Sequence, residues 1–473
     1  MSAGSGLPPA QDVVENALTA ALPGSDGCVV IVEETSEVEV RYANNTTTTN
    51  GGRRDRRVTV VSVRQVDGGA AAGVARGRGD MDVAELVRSA ERDASESPPA
   101  DDAAPLVDPA TAGMPSESSD RFDRPPETTD LSVLSGVLSS LSGAFGRARA
   151  SDRILAGFAE HRQSTRYLGT STGVRLAHSQ PQGALHFVAR SHDGASSTWA
   201  GVGTADFSDV SVEELEARAA GRLAWSTQSL EIPAGRHEVI LPPEGVSDLM
   251  VGLAYELNGR DAEDGRNSFS RAGGGTRVGD RLAAMPFHLR SDPAEPGLES
   301  APFLTAESSS ADQSVFDNGL PTVTTDWISG GRLERLRYHR AGAARAGVDA
   351  VGFGGNLILE VDGADATLDE MVSRTERGLL LTCLWYIREV DPTTMLLTGL
   401  TRDGVYVVED GEVIGAANNF RFNESPVDLL DRVTEVGTST RALGREFGEY
   451  VNRTRMPPLR VPDFNMSTVS RAS

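Results

Sequence analysis

The chain has 473 residues and a formal net charge of −23, from 45 basic and 68 acidic residues. This acidic balance excludes a general nucleic-acid binder, which needs clustered positive charge to meet phosphates. No apolar run approaches the roughly 20 residues of a membrane-spanning helix, and the first nine residues lack the pattern of a secretion signal. We therefore expect a two-domain cytoplasmic protein that contacts neither membrane nor nucleic acid.

The first half of the chain has the hydrophobic pattern of helices packed on an antiparallel sheet. The predicted helices are residues 10–22, 81–94, 131–160 and 212–225. The predicted strands are residues 28–41, 58–66 and 69–76, with short strands within 164–190 and a polar turn at 44–52. Residues 95–130 are rich in Pro, Ser and acidic residues, and this composition predicts a surface loop or a partly disordered insertion.

From residue 231 onward the pattern changes to short strands and turns. The predicted strands are residues 232–241, 326–332, 357–361, 378–388, 395–400 and 404–409, with helices at 243–257, 367–374 and 426–433. We expect an α+β fold with an N-terminal domain (1–230) of helices on an antiparallel sheet and a β-rich, barrel-like C-terminal domain (231–473).

The most distinctive stretch is residues 388–423, REVDPTTMLLTGLTRDGVYVVEDGEVIGAANNFRFN. It predicts a β-meander with a tight hairpin at Asp410-Gly411, because Asp-Gly suits the positive φ angles of such turns. This run resembles the C-terminal region of the TldD/PmbA family of peptidases. Residues 316–322 (FDNGLPT) and 459–464 (LRVPDF) resemble two further segments of that family. The resemblance covers most of the chain.

The resemblance also implies where a metal site would lie. TldD-type members carry H-E-x-x-x-H on a helix and a cysteine nearer the C-terminus, which together supply zinc ligands and a general base. The matching segment is residues 248–259, DLMVGLAYELNG. It places Met250 and Tyr255 at the histidine positions and Val251 at the glutamate, while Ser439 replaces the cysteine. We therefore expect neither catalytic residues nor a metal in this chain.

Such a degenerate site resembles the PmbA branch, also called TldE, whose members pair with a metal-bearing TldD-type subunit. The resemblance implies a pseudoenzyme subunit of a heterodimeric peptidase that acts on peptides or unfolded polypeptides, with zinc in the partner. Whether the chain is an enzyme by itself stays open. Two alternatives remain: an autonomous hydrolase that uses Ser439, Cys383 or a histidine, and a non-enzymatic peptide-binding or scaffold protein.

Other candidate residues have ordinary structural interpretations. None of the seven histidines forms a pair at metal-ligand spacing, although His178, His186 and His192 could share one strand surface. His161 is expected at the C-terminal end of a helix. The two cysteines, Cys28 and Cys383, are too few for a disulfide framework or a cysteine-rich zinc module.

Three short segments also need an interpretation. The sequence GTSTG at 169–173 predicts a hairpin turn rather than a nucleophile elbow. The glycine-rich segments 273–276 and 352–356 predict flexible or closely packed backbone, with a binding groove as the lesser hypothesis. The basic run 53–57 predicts a solvated hairpin end, with an acidic partner surface as the alternative.

Overall fold

The computed structural model describes residues 7–21, 24–113 and 119–470. In its first half, six antiparallel strands form one sheet in the order β3-β2-β1-β4-β5-β6. The strands are β1 (Gly27–Ala43), β2 (Thr46–Val66), β3 (Gly69–Arg78), β4 (Arg153–Thr170), β5 (Arg175–Ser191) and β6 (Ser197–Thr204). The helices are α1 (Ala10–Ala21), α2 (Val83–Glu96), α3 (Pro109–Ala112), α4 (Ser135–Ala150) and α5 (Val212–Trp225), with a 3-10 turn at Leu131–Leu134.

The two faces of this sheet are covered differently. Successive side chains of a strand point to opposite faces. Val30, Val32, Val38 and Val40 of β1 all point to one face, where α1, α2, α4 and α5 bury them. Ile31, on the other face, packs in an apolar cluster with residues of the second half of the chain. Further along β1 this second face is polar, so the two halves enclose a polar space.

The second half contains three sheets, in the orders β11-β10-β9-β12-β21-β20, β19-β22-β8-β13-β16-β17-β7 and β14-β15-β18-β23. Their strands are β7 (Ser229–Leu230), β8 (Gly235–Leu241), β9 (His288–Ser291), β10 (Thr325–Ser329), β11 (Arg332–Leu333), β12 (Leu357–Glu360), β13 (Arg377–Leu381), β14 (Leu384–Asp391), β15 (Leu396–Thr401), β16 (Val405–Glu409), β17 (Glu412–Ala417), β18 (Phe420–Glu424), β19 (Glu435–Val436), β20 (Thr440–Ala442), β21 (Thr454–Met456), β22 (Leu459–Met466) and β23 (Thr468–Val469).

The helices of the second half are α6 (Pro243–Glu256), α7 (Gly259–Glu263), α8 (Arg340–Ala346), α9 (Leu368–Ser373) and α10 (Pro426–Arg432), with a 3-10 turn at Val315–Asp317. Helix α6 begins at a proline, which suits a first helical position, and it is buried along most of its length. It lies at the centre of the larger apolar core, against strands of two sheets. Every helix in the described part of the chain is too short or too polar to span a bilayer.

The α+β prediction is confirmed, but the barrel-like second domain is wrong. Closing a barrel requires hydrogen bonds between the first and last strands of a sheet. Each sheet formed by the described residues is open and ends in edge strands. Several of those edges, such as β11 and β19, are only two residues long and cannot continue the ladder. The domain boundary at 230 stays a prediction.

The predicted helix 131–160 is also wrong beyond Ala150. Asp152, at a φ of 52°, turns the chain directly into β4, so residues 153–160 are extended. The predicted turn at 44–52 shrinks to Asn44-Asn45, both with positive φ, and β2 begins at Thr46. By contrast, the Asp410-Gly411 hairpin is confirmed, with both residues at positive φ between β16 and β17.

The acidic segment 95–130 packs onto the first sheet over the residues that the structure describes. Val107 and Phe122 are buried, at 1% and 5% exposure. Asp102 is buried as well and accepts hydrogen bonds from Ser309 and Ser314. Of the two alternatives for this segment, the ordered surface loop describes 95–113 and 119–130 better than the partly disordered insertion, and residues 114–118 lie outside the described part.

Candidate functional site

A cleft of about 460 Å³ lies between the first sheet and the second half of the chain. Strands β1, β4 and β5 form one wall. The lining residues that matter below are Glu33, Arg162, Arg166, His178 and Gln180 from the sheet, and Tyr255, Ser300, Asp312, Arg337, His339, Tyr450 and Arg453 from the second half.

The sheet wall is polar because of the strand register. Arg166 on β4 lies between Glu33 on β1 and His178 on β5, and directly paired residues project from the same face. Two positions along, Ser164 lies beside Gln180 in the same way. This part of the face is therefore a row of hydrogen-bonding groups that the apolar contacts of the sheet do not cover.

Glu33 organises the charges of this wall. Its side chain is 3% exposed, and Arg57 Nη2 lies 3.1 Å from its Oε2. Arg166 Nε donates to its Oε1 at 3.3 Å, and Arg162 Nη2 is 3.7 Å from the same oxygen. One carboxylate thus holds three guanidinium groups, so the wall keeps a positive balance.

Arg337 contributes a second buried cation, from the opposite wall. It is 8% exposed and forms an ion pair of 2.7 Å with Asp312. It also donates to the backbone carbonyl of Tyr255. Burial lowers the pKa of Arg337, although Asp312 opposes that effect. Its Nε is buried and has no hydrogen-bond partner among the described residues.

Arg453 lies where this cleft meets a neighbouring cavity of about 380 Å³, which is also lined by His178, Gln180 and Ser300. Arg453 donates to the carbonyl of Pro181 and, at 3.3 Å, to Asn452 Oδ1. These acceptors are neutral, and no ion pair involves Arg453 within the described part of the chain. Burial lowers the pKa of Arg453 to about 10.

The two histidines of the cleft are neutral at physiological pH. His178 interacts through Nε2 with Gln180 Oε1 at 3.1 Å, and burial lowers its pKa, assisted by nearby arginines. His339 precedes α8 and accepts a hydrogen bond from the Gly342 N–H at 3.2 Å. Burial lowers the pKa of His339 as well. His178 therefore offers its Nδ1 as an acceptor, because Nε2 donates to Gln180, whereas His339 offers its Nε2 as a donor, because Nδ1 accepts from Gly342.

The structure separates the four residues that match the family's metal site. Met250 and Val251 of α6 are 0% and 1% exposed and lie within the apolar core. Tyr255 is 47% exposed at the end of α6 and lines the cleft. Ser439 donates to the carbonyl of Leu359 at 2.8 Å and is not among the residues that line the cleft.

This set does not fit zinc, which is held in proteins by thiolate, imidazole or carboxylate ligands. Met250 and Val251 are side chains of the apolar core. The hydroxyl groups of Tyr255 and Ser439 do not line the same cleft. In the residues that the structure describes, no three His, Cys, Asp or Glu side chains are grouped so as to hold a metal ion.

The predicted placement of His161 is wrong, since it lies on β4 and not at a helix end. Its Nδ1 lies 2.8 Å from Thr129 Oγ1 and its Nε2 lies 2.7 Å from the Ala205 carbonyl, so both ring nitrogens are engaged. Cys383 is buried, and burial raises the pKa of its thiol. Neither residue lines the cleft.

The possible histidine surface on β5 does not form either. His178 lines the cleft, whereas His186 is buried and stacks on Phe158 with ring centroids 4.3 Å apart. His192 lies beyond the end of β5, beside Asp152 at 3.5 Å. The GTSTG segment is the hairpin turn between β4 and β5, as predicted.

The main residues of the cleft were missed by sequence reasoning. Arg162, Ser164 and Arg166 carry a strand signal, polar side chains at every second position, but the helix predicted up to residue 160 obscured where this strand begins. Arg337 and Arg453 carry no local signal. The glycine-rich segment 352–356 gave the one hint, because Gly352–Gly355 do line the cleft.

Comparisons with known proteins fit this architecture. The profile of the PmbA/TldA metallopeptidase C-terminal domain matches residues 234–468. The chain is similar in fold to the crystal structure of TldE from Thermococcus kodakarensis, with a TM-score of 0.78 and 16% identity over 96% of this chain and 99% of that one.

Two further solved structures are similar. A proposed modulator of a DNA gyrase from Thermotoga maritima has a TM-score of 0.74 and 16% identity, over 96% of this chain and 99% of that one. One from Bacteroides thetaiotaomicron has a TM-score of 0.71 and 14% identity, over 97% and 99%. No curated protein sequence matches the chain.

Proposed function

This chain is a member of the PmbA/TldD metallopeptidase family, and from that premise we propose that it is the non-catalytic, peptide-binding subunit of a cytoplasmic two-component peptidase. A TldD-type partner would hold the zinc and perform the cleavage. The observation that carries the proposal is helix α6, which gives Met250 and Val251 to the core and only Tyr255 to the cleft.

Zinc chemistry in this family would need two imidazoles and a carboxylate that project from this helix toward a bound peptide. Here the corresponding side chains are apolar and buried, so they support the core of the second half instead. The helix still lies at the cleft, but its buried side chains contribute to packing and not to catalysis. This supports a division of labour in which cleavage occurs on another chain.

The cleft suits the binding of an extended polypeptide. It offers aromatic rings at its mouth, Tyr255 and Tyr450, which are 47% and 72% exposed. Its interior offers guanidinium, imidazole and hydroxyl groups that can meet backbone carbonyls and carboxylates. A few polar groups in a cleft between two layers are typical of a binding site for peptides or small ligands.

The test compares this chain alone, a TldD-type relative from the same genome alone, and the two mixed. Co-elution, zinc content and cleavage of an unfolded protein such as reduced casein are measured for each. We expect a stable complex, with zinc in the relative and cleavage only in the mixture. The matched control is a relative whose two H-E-x-x-x-H histidines are replaced by alanine, which should still bind this chain but lose cleavage.

Chelator-sensitive cleavage by this chain alone would overturn the proposal. Cleavage that persists with a chelator and is lost on Ser439→Ala would favour an autonomous hydrolase. The structure offers little for that alternative, because Ser439 is bonded to a backbone carbonyl and the Cys383 thiol is held protonated by burial. Peptide binding without any catalytic partner would indicate the scaffold function.

A further inference from the structure

Arg453 forms no ion pair in the described part of the chain, although Glu299, which lines the adjoining cavity, acts on it electrostatically. The chain carries 68 acidic residues, and most arginines of the cleft and its surroundings have a carboxylate partner. Arg166 and Arg162 share Glu33, and Arg337 faces Asp312. Arg453 instead donates to two neutral oxygens. Withdrawing a guanidinium from water without an anion costs free energy, so such a site favours an anionic ligand.

Two polar groups that line the cleft are also unsatisfied among the described residues. Ser300 is 5% exposed, and its Oγ is buried without a hydrogen-bond partner among the described residues. Ser300 and Arg453 line both the cleft and the adjoining cavity. Arg337 Nε, in the same cleft, is the second buried donor without a described partner. A native structure rarely leaves buried donors unpaired, and a bound ligand is one ordinary explanation.

The chemistry of these groups selects the ligand. A guanidinium donates two parallel hydrogen bonds to a carboxylate, and a hydroxyl adds a third. The neutral ring of His178, which lies in both cavities, uses its single N–H on Gln180 Oε1, so it adds neither charge nor a further donor there. Since the chain as a whole is strongly acidic, a local excess of positive charge in the cleft would attract a carboxylate.

We propose that the junction of the two cavities, formed around Arg453 and Ser300, binds a carboxylate of the peptide substrate. The inference rests on the proposed peptide-binding function and names the class of peptide. The carboxylate has two possible sources, the C-terminus of the peptide or the side chain of an Asp or Glu. Peptides that carry an anion at this position are the preferred ligands of the cleft.

The experiment uses isothermal titration of the full chain with three acetylated pentapeptides of Ala, Gly and Ser. One peptide ends in a free carboxylate, one ends in an amide, and one ends in an amide but contains an internal Glu. We expect the free acid to bind roughly tenfold or more tighter than the plain amide, as for a hydrogen bond to a charged group. Tight binding of the Glu peptide identifies a side chain as the source, and weak binding identifies the C-terminus.

Two variants locate the effect. Arg453→Gln should abolish the preference for the acid while binding of the amide changes little. Ser300→Ala should reduce the preference several-fold and leave the thermal unfolding temperature unchanged, because the hydroxyl has no partner to lose among the described residues. The matched control is Arg377→Gln, an exposed arginine on β13 that does not line the cleft, which should change nothing.

Equal binding of all three peptides would overturn the inference, as would a preference for an anionic peptide that survives Arg453→Gln in a chain that remains folded. The outcome is independent of the proposed pairing. A chain that selects carboxylate peptides but neither binds a TldD-type relative nor supports its cleavage keeps this inference and refutes the subunit function. A chain that supports cleavage without any carboxylate preference does the reverse.

Discussion

The arginines of the β1–β2 hairpin and Arg453 of the cleft differ in whether an acidic side chain pairs with them. Along the hairpin, Arg53 is directly opposite Glu37, Arg56 opposite Glu34, and Arg57 opposite Glu33, so each of these three cations faces an acid. In the cleft, Arg453 forms no ion pair within the described part of the chain, and Glu299 acts on it only from a longer distance. The most basic run of the sequence is therefore part of a structural ladder, while the cation that is available to a ligand lies outside that run.

Glu33 contacts arginines of both regions, so we expect its replacement to give the largest loss of stability. The carboxylate is buried between Arg57 of the hairpin and two arginines of the cleft wall. Glu33→Ala leaves three guanidiniums facing one another, and we expect a loss of about 3 kcal/mol in the free energy of unfolding. Urea denaturation measures it.

The matched control is Glu37→Ala, on the same strand, where the carboxylate forms an ion pair with the exposed Arg53. We expect this variant to lose less than about 1 kcal/mol. Equal losses for Glu33→Ala and Glu37→Ala would mean that the shared, buried carboxylate has no special role, and the distinction between the two regions would fail.

Uncompensated negative charge also occurs near the cleft, next to Tyr255. Burial raises the pKa of Glu256 to about 7, and repulsion from Glu389 and Asp261 adds to this. The folded chain then holds a proton that the unfolded chain releases near pH 4.5. The free energy of unfolding therefore decreases as pH rises from about 4.5 to 7. Above pH 7 the penalty is constant.

Glu256→Gln should therefore stabilise the chain at pH 8 by roughly 1 kcal/mol, after allowing for solvent screening at this partly exposed group, and leave it unchanged near pH 4.5. Glu389→Gln should give part of the effect, since it removes one source of repulsion. Urea denaturation at the two pH values measures both variants. A gain of equal size at both pH values would contradict the assignment, because it would not depend on ionisation.

The sequence predicted the features that depend on local contacts better than those that depend on contacts between distant residues. The helices α2 and α5 and the Asp410-Gly411 hairpin follow from local patterns, and they lie where they were expected within a few residues. The boundary at Ala150 was missed because the small and apolar residues on either side suit a helix as well as a strand. The helix pattern was continued across a single αL residue, Asp152.

The cleft could not be predicted for a different reason. Its walls come from positions as distant as Arg166, Arg337 and Arg453, which only the packing of the two halves brings together. Nothing in a window of neighbouring residues shows that Arg453 forms no ion pair within the described part of the chain. The family resemblance located helix α6 and its Met250 and Val251, but which of its side chains reach the cleft depends on the rotation of that helix in the core.

The smallest expected effect is the coupling energy of the ion pair at the exposed end of the hairpin. A comparison with a buried pair of the same hairpin tests whether burial sets the strength of such pairs. Arg53 is 74% exposed and lies 2.8 Å from Glu37, whereas Arg56 is 5% exposed and bonds Glu34 at 2.6 Å. A double-mutant cycle with alanine should give a coupling below about 0.5 kcal/mol for the exposed pair, vanishing in 1 M salt, because solvent and ions screen it. The cycle on Arg56 and Glu34 should give a larger coupling that salt reduces little. If both pairs couple equally and respond equally to salt, burial does not set their strength, and the contrast between the ladder and the cleft would have to rest on geometry alone.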